Sequence, residues 1–303
     1  MSATNIKNVQ GSPPSGGLGA KKYTGIIIPA ITPLTEKLQI DEAAVSRLFT
    51  LFYQHKISPF ILGTTGESAS LPLQLKKDYV IAAGKNKKMG SLLYAGIGSN
   101  VLAESIDFAS YCSLHAVDVV VATLPSYYGL TEKQMLKYFT ILANSISLPL
   151  FIYNIPATTH MSIPLPVIDE LSKHKNIVGI KDSERSEERM LRSLQLWRDR
   201  KDFHYILGWA AKSADALLNG ADGLVPSTGN LYPEIYTDMI KAFENGDKDK
   251  MYAMQKLSDD YGALYQANRT LGLQADKEKE RRIKLQSLLD QGTNFERATY
   301  TAA

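Results

Sequence analysis

Apolar runs of strand length alternate with longer amphipathic stretches along most of the chain. The runs 24–31, 59–62, 91–97, 117–124, 150–155, 177–180, 204–207 and 223–225 are too short for helices and too apolar for loops. They predict strands buried on both faces. The stretches 41–56, 73–85, 102–114, 131–145, 167–174, 187–198, 213–218 and 233–245 carry helical periodicity. In the first of them Asp41 supplies a cap, and Ala44, Leu48, Leu51 and Phe52 fall on one face. Eight strand–helix units of this kind predict a (β/α)8 barrel over residues 23–246. A doubly wound open sheet is the competing arrangement, but no G-x-G-x-x-G turn follows the first strand.

The ends differ in character. Residues 1–22 are rich in Ser, Gly, Pro and Asn without periodicity and read as a disordered leader. After residue 246 the strands stop: 247–268 and 276–290 predict added helices within an extension spanning 247–291, and 292–303 reads as a loose tail.

Composition narrows the partners. With 44% hydrophobic residues, the 303-residue chain can bury one large core. Its 34 basic and 31 acidic residues nearly cancel, and no basic stripe interleaved with aromatics appears, which argues against nucleic acid. Cys112 is the single cysteine, so neither a disulfide framework nor a thiolate metal site is on offer. No apolar run reaches membrane-spanning length, and the N-terminus lacks the apolar segment of a secretory signal, so the cytoplasm is the expected compartment.

In a (β/α)8 barrel the reactive groups come from the C-terminal strand ends and the loops beyond them. Lys181 ends the sixth predicted strand and Tyr153 the fifth. A lysine at the mouth of a buried strand is costly to keep charged, and a neutral amine is the nucleophile that forms a Schiff base with a ketone. A nearby phenol can move the protons. Either residue alone fits a packing role better, but their pairing, together with the loop that follows strand two, favours chemistry. The loops 63–68, 125–128 and 226–230 follow strands two, four and eight onto the same rim. In the first, Gly63 and Gly66 allow close backbone approach, and Thr64 and Thr65 add hydroxyls, a combination suited to a carboxylate. An ordinary capped turn is the plainer reading. The Gly-Lys-Ser/Thr ending of a phosphate loop is absent, and Glu67 reads as an acceptor that holds the loop.

Three motifs, Gly63-Thr-Thr-Gly-Glu-Ser68, Tyr153-Asn-Ile-Pro156 and Gly179-Ile-Lys-Asp182, occur in the order and spacing of one family. From about residue 23 to 246 the chain resembles the dihydrodipicolinate synthase/N-acetylneuraminate lyase family. The resemblance implies a (β/α)8 class I aldolase that joins a lysine to pyruvate or another 2-keto acid, with no metal and no organic cofactor. It implies that Lys181 is the Schiff-base lysine and Tyr153 the general acid/base. Thr64 and Tyr127 would relay protons through Tyr153, and Thr65 with nearby amides would hold the carboxylate. It also implies helices beyond the barrel and a homo-oligomer, typically a tetramer.

Departures from the pattern bear on the substrate. Thr158 stands where synthases of the family carry an arginine for a second carboxylate, and a threonine cannot make that bidentate contact. Gly208-Trp209 is followed by Ala210 and Ala211, where neuraminate lyases hold a polyol with acidic groups. Ser126 replaces a common aromatic. Thr158, Gly208 and Ser227 are expected to bind the substrate, Thr158 in the distal half of the pocket. The expected function is cleavage or formation of a 2-keto acid, such as a 2-keto-3-deoxy sugar acid, from pyruvate and an aldehyde. The synthase reaction, a Schiff-base dehydratase and a non-catalytic keto-acid sensor are the alternatives.

Overall fold

The structure is a computed structural model and describes residues 23–270. Its strands are β1 (Gly25–Pro29), β2 (Ser58–Ile61), β3 (Tyr94–Gly96), β4 (Val119–Thr123), β5 (Leu150–Asn154), β6 (Ile177–Asp182), β7 (His204–Leu207) and β8 (Gly223–Leu224). Each pairs in parallel with the next, and β8 pairs with β1, so the sheet closes into a barrel. This is the predicted (β/α)8 fold rather than an open sheet. At the seam Gly25 faces Gly223. A side chain on Gly223 would come within 2.6 Å of the Gly25 carbonyl, so closure needs a bare residue there.

Around the barrel lie α1 (Glu42–Gln54), α2 (Leu73–Asn86), α3 (Leu102–Ser113), α4 (Glu132–Ser145), α5 (Pro156–Thr159), α6 (Leu165–Leu171), α7 (Glu187–Trp197), α8 (Ser213–Leu218) and α9 (Pro233–Glu244). The Asp41 carboxylate accepts from the Ala44 amide at 2.9 Å, and α1 buries Ala44, Val45, Leu48, Phe49 and Phe52 as one stripe. Thr131 and Gln134 form a reciprocal capping box at the start of α4. Beyond the barrel, α10 (Lys248–Thr270) packs on α9. The leader 1–22, the helix predicted over 276–290 and the tail 292–303 lie outside the described residues. No helix among the described residues is long and apolar enough to cross a membrane.

Two cores result. Ile27, Phe60, Tyr94, Val121, Phe151 and Ile206 fill the barrel interior, while a larger cluster lies between strands and helices. Burying each such side chain contributes roughly 1.5–3 kcal/mol. Cys112 sits in the outer core, where burial pushes its thiol up to about 12, consistent with a packing role.

Three boundaries depart from the sequence pattern. The third strand begins only at Tyr94, because the Asp118 carboxylate takes the Leu93 amide at 2.7 Å. A helical turn, α5, precedes α6, and α6 starts earlier than predicted, at Leu165. The sixth strand continues through Lys181 and Asp182, whose neighbours on both sides, Tyr153 and Asn154 in β5 and Ile206 and Leu207 in β7, extend the ladder.

Candidate active site

Strand alternation places the central pair. Tyr153 and Lys181 are register partners on β5 and β6, so both side chains leave the sheet on the same, inward face. Lys181 is only 4% exposed. Its Nζ lies 3.9 Å from the centroid of the Tyr153 ring and 4.8 Å from that of Phe60. Gly179, two residues earlier on the same face, has no room for a side chain, because the Phe151 ring and the His204 carbonyl occupy that space. Phe151 thus fills the barrel interior one inward layer below Lys181.

The Tyr153 phenol is tuned by competing influences. Burial alone would raise its pKa. The Lys181 ammonium, together with hydrogen bonds to Thr64, Lys181 and Ser183, outweighs burial and holds the phenol below the ordinary tyrosine value. The Thr64 Oγ1 stands 3.3 Å from Tyr153 Oη. A phenol biased toward ionisation beside a buried amine is equipped to exchange protons with a bound group.

The loop after β2 approaches this pair because of its glycines. Gly63 and Gly66 are buried. A side chain on Gly63 would lie 3.1 Å from the Phe60 ring, which also packs under Lys181, and one on Gly66 would lie 2.9 Å from the Ala30 carbonyl. Thr32 donates to the Gly66 carbonyl at 2.7 Å, and the Glu67 amide donates to the Thr64 carbonyl at 3.1 Å. Glu67 itself is exposed, in a left-handed backbone conformation at φ 55°. Thr65 is half-buried beside Thr64.

The other predicted residues differ in how near they come to the pair. Gly208 follows β7 directly, where a side chain would strike Ser183 and lie 3.2 Å from Lys181 Cε, so a glycine is what lets both side chains pack there. Ser227 is half-buried in the turn after β8, a turn braced by Asn230, which donates to the carbonyls of Pro29 and Ser227. Thr158 is exposed on α5, its hydroxyl turned back to the Ile155 carbonyl at 3.4 Å. Tyr127 is 77% exposed, edge-on against Tyr128, and forms no hydrogen bond to Tyr153 among the described residues. Its loop is anchored by Asn100, whose side-chain oxygen accepts from the Ser126 and Tyr127 amides. Trp209 packs partly into the outer core.

Sequence reasoning passed over Ser183 and Phe60. Ser183 reaches Tyr153 because it continues the inward series of Gly179 and Lys181, a period-two signal present in the sequence. Phe60 read only as a strand residue. Nothing in its own run indicated that it would sit under both the lysine and the Gly63 turn.

Comparison with known proteins agrees with this geometry. The Dihydrodipicolinate synthetase family profile matches residues 22–268. An uncharacterized DapA-like lyase of Pyrococcus horikoshii is 31% identical over 237 residues, covering 77% of this chain and 81% of its own. A 4-hydroxy-tetrahydrodipicolinate synthase of Aliarcobacter butzleri is 30% identical over 253 residues, 82% of each chain. The dihydrodipicolinate synthase structure from Bacteroides thetaiotaomicron superposes with a TM-score of 0.76 at 27% identity, covering 79% of this chain and 81% of that one. The N-acetylneuraminate lyase of Mycoplasma synoviae shares the fold, with a TM-score of 0.70 at 23% identity over 80% and 81% of the two chains. With its motifs, its closed barrel and its profile in agreement, the chain belongs to the dihydrodipicolinate synthetase family and is a lyase of the aldolase type.

Proposed function

We propose that the protein is a pyruvate-dependent class I aldolase acting on a 2-keto acid with a short distal portion, such as a 2-keto-3-deoxy sugar acid. The observation that carries this reading is the buried Lys181 amine resting on the Tyr153 ring, with Thr64 on the phenol. The amine adds to the keto carbon and water leaves, giving an iminium. Tyr153 as phenolate takes the proton from the hydroxyl on C4. The C3–C4 bond breaks, its electron pair passes to the iminium as an enamine, and the aldehyde departs. Protonation of C3 and addition of water then release pyruvate and the free amine. Thr64 passes the proton on from Tyr153. Thr65 with the neighbouring amides of the Gly63–Gly66 turn holds the substrate carboxylate, Gly208 and Ser227 border the bound substrate, and Thr158 borders its distal half.

Tyr127 enters the relay only across a contact between copies of the chain, which would also cover the exposed rings of Tyr127 and Tyr128. A dimer or tetramer is therefore part of the proposal.

The synthase reaction is the second reading, favoured by the Aliarcobacter relative. A synthase needs a fixed cation for the second carboxylate, and Thr158 offers one exposed hydroxyl already bonded to its own turn. A retro-aldol screen of 2-keto-3-deoxy acids, with released pyruvate measured, tests the proposal against condensation of aspartate semialdehyde with pyruvate. Higher kcat/KM for a 2-keto-3-deoxy acid supports the aldolase. Preference for aspartate semialdehyde restores the synthase. Loss of water without C–C cleavage indicates a dehydratase, and Schiff-base formation without product indicates a sensor.

A further inference from the structure

Alternation along β5 and β6 has a second consequence. Lys181 and Tyr153 face into the barrel, so their chain neighbours Asp182 and Asn154, also register partners, face outward. Both outward side chains are polar and only 1% exposed. Asn154 Nδ2 donates to Asp182 Oδ1 at 2.9 Å and to Glu184 Oε2 at 3.0 Å, while its Oδ1 accepts from the Ile163 amide at 3.0 Å. Arg189 of α7 donates through Nε to Asp182 Oδ2 at 2.7 Å, and that nitrogen lies 3.4 Å from Glu184 Oε2. The main chain joins in: the Ser183 amide donates to the Asn154 carbonyl at 2.9 Å, and the Gly208 amide to the Asp182 carbonyl at 2.7 Å. One knot therefore ties the ends of β5, β6 and β7 together directly behind the reacting groups.

Stability does not account for this arrangement. Burial raises the Asp182 carboxyl above the ordinary carboxylate range, with Arg189, Asn154 and the Glu184 amide only partly offsetting it. Among the described residues, the buried Arg189 Nη2 has no hydrogen-bond partner. An apolar cluster of similar volume stabilises as well or better than a buried ion pair satisfied in this way. What the network supplies is a single geometry. The β5–β6 ladder needs one, because its register shifts between Leu150 and Phe151, just below the site. The knot grips the ladder above that shift, at the Asn154–Asp182 rung next to Tyr153–Lys181.

We propose that Asp182, Asn154 and Arg189 are positioning residues that set the register and separation of Lys181 and Tyr153 from outside the barrel. This rests on reading that pair as the reacting groups, and its test is independent of substrate. The double variant Asp182→Asn/Arg189→Gln removes one charge of each sign, and Glu184, a quarter exposed, keeps its hydrogen bonds from Asn154 and Ser162. The readout is the titration midpoint of Tyr153, from ultraviolet difference spectra against the same protein carrying Tyr153→Phe. The expected result is a folded variant whose Tyr153 titrates about one pH unit higher, because the lysine has drifted from the ring. Pyruvate trapping by borohydride should slow by about tenfold or more. A folded double variant whose Tyr153 titrates as in the parent overturns the proposal. Should the double variant not fold, Arg189→Lys, which keeps the charge but loses the fork, is read the same way, and an unchanged midpoint there overturns it equally. A parent protein that traps no pyruvate counts against the aldolase reading alone, since the midpoint still decides the positioning role.

Discussion

The corner where β5 meets β6 and the rim beyond β4 and β5 are built on opposite principles. At the corner, Tyr153, Asn154, Lys181 and Asp182 are all buried, and each has its direction set by strand alternation and by partners on neighbouring strands. At the rim, Tyr127 and Tyr128 are exposed, and Thr158 is bonded only to its own turn. On the proposed reading the reacting groups stand where the backbone ladder dictates geometry, and the groups that would choose the substrate stand on loops that can change without disturbing it. Substitutions at the corner should therefore act on kcat, and substitutions at the rim on the ranking of substrates.

The largest effect is expected at the corner. Lys181→Met should abolish turnover while leaving a folded barrel, as measured by pyruvate release and thermal melting. In that variant Tyr153 should titrate higher than in the parent, because a neighbouring positive charge that favours the phenolate is gone. Tyr153→Phe keeps the ring under the amine and removes the proton carrier. Steady-state kinetics should show kcat lowered by about 10²–10⁴-fold with KM nearly unchanged. Unaltered kcat would assign Tyr153 to packing.

Gly208→Ala probes the border between the two regions. The new methyl group must displace Ser183 and crowd Lys181 Cε, so kcat/KM should fall by about 10²-fold, with a smaller change in melting temperature. At the rim, Thr158→Arg should leave turnover of the preferred 2-keto acid within a few-fold. It should improve an aldehyde bearing a carboxylate by roughly tenfold in kcat/KM. The smallest effect on folding is expected at Tyr127, where Tyr127→Ala should change stability by no more than about 0.5 kcal/mol in a melt of the dilute protein. If Tyr127 acts across a contact between copies, the same variant should still lose kcat.

How much of this was legible in the sequence follows the same division. The strand runs, the cap at Asp41 and the inward pair were readable because period-two and period-3.6 patterns are local. Ser183 was equally readable, since it lies two residues from Lys181. Phe60 under the lysine, Thr32 on the Gly66 carbonyl and Arg189 on Asp182 were not, because each contact depends on barrel closure or on where a helix docks. The placement of Tyr127 was hidden for a related reason. Resemblance assigned it a role beside Tyr153, but a loop residue's reach depends on what packs against that loop.

The most direct test of the central claim is reduction with borohydride in the presence of pyruvate, followed by peptide mass mapping. The account predicts one pyruvate-derived adduct per chain, on the peptide containing Lys181, and none in Lys181→Met. An adduct on a different lysine, or no adduct in the native protein, would contradict it.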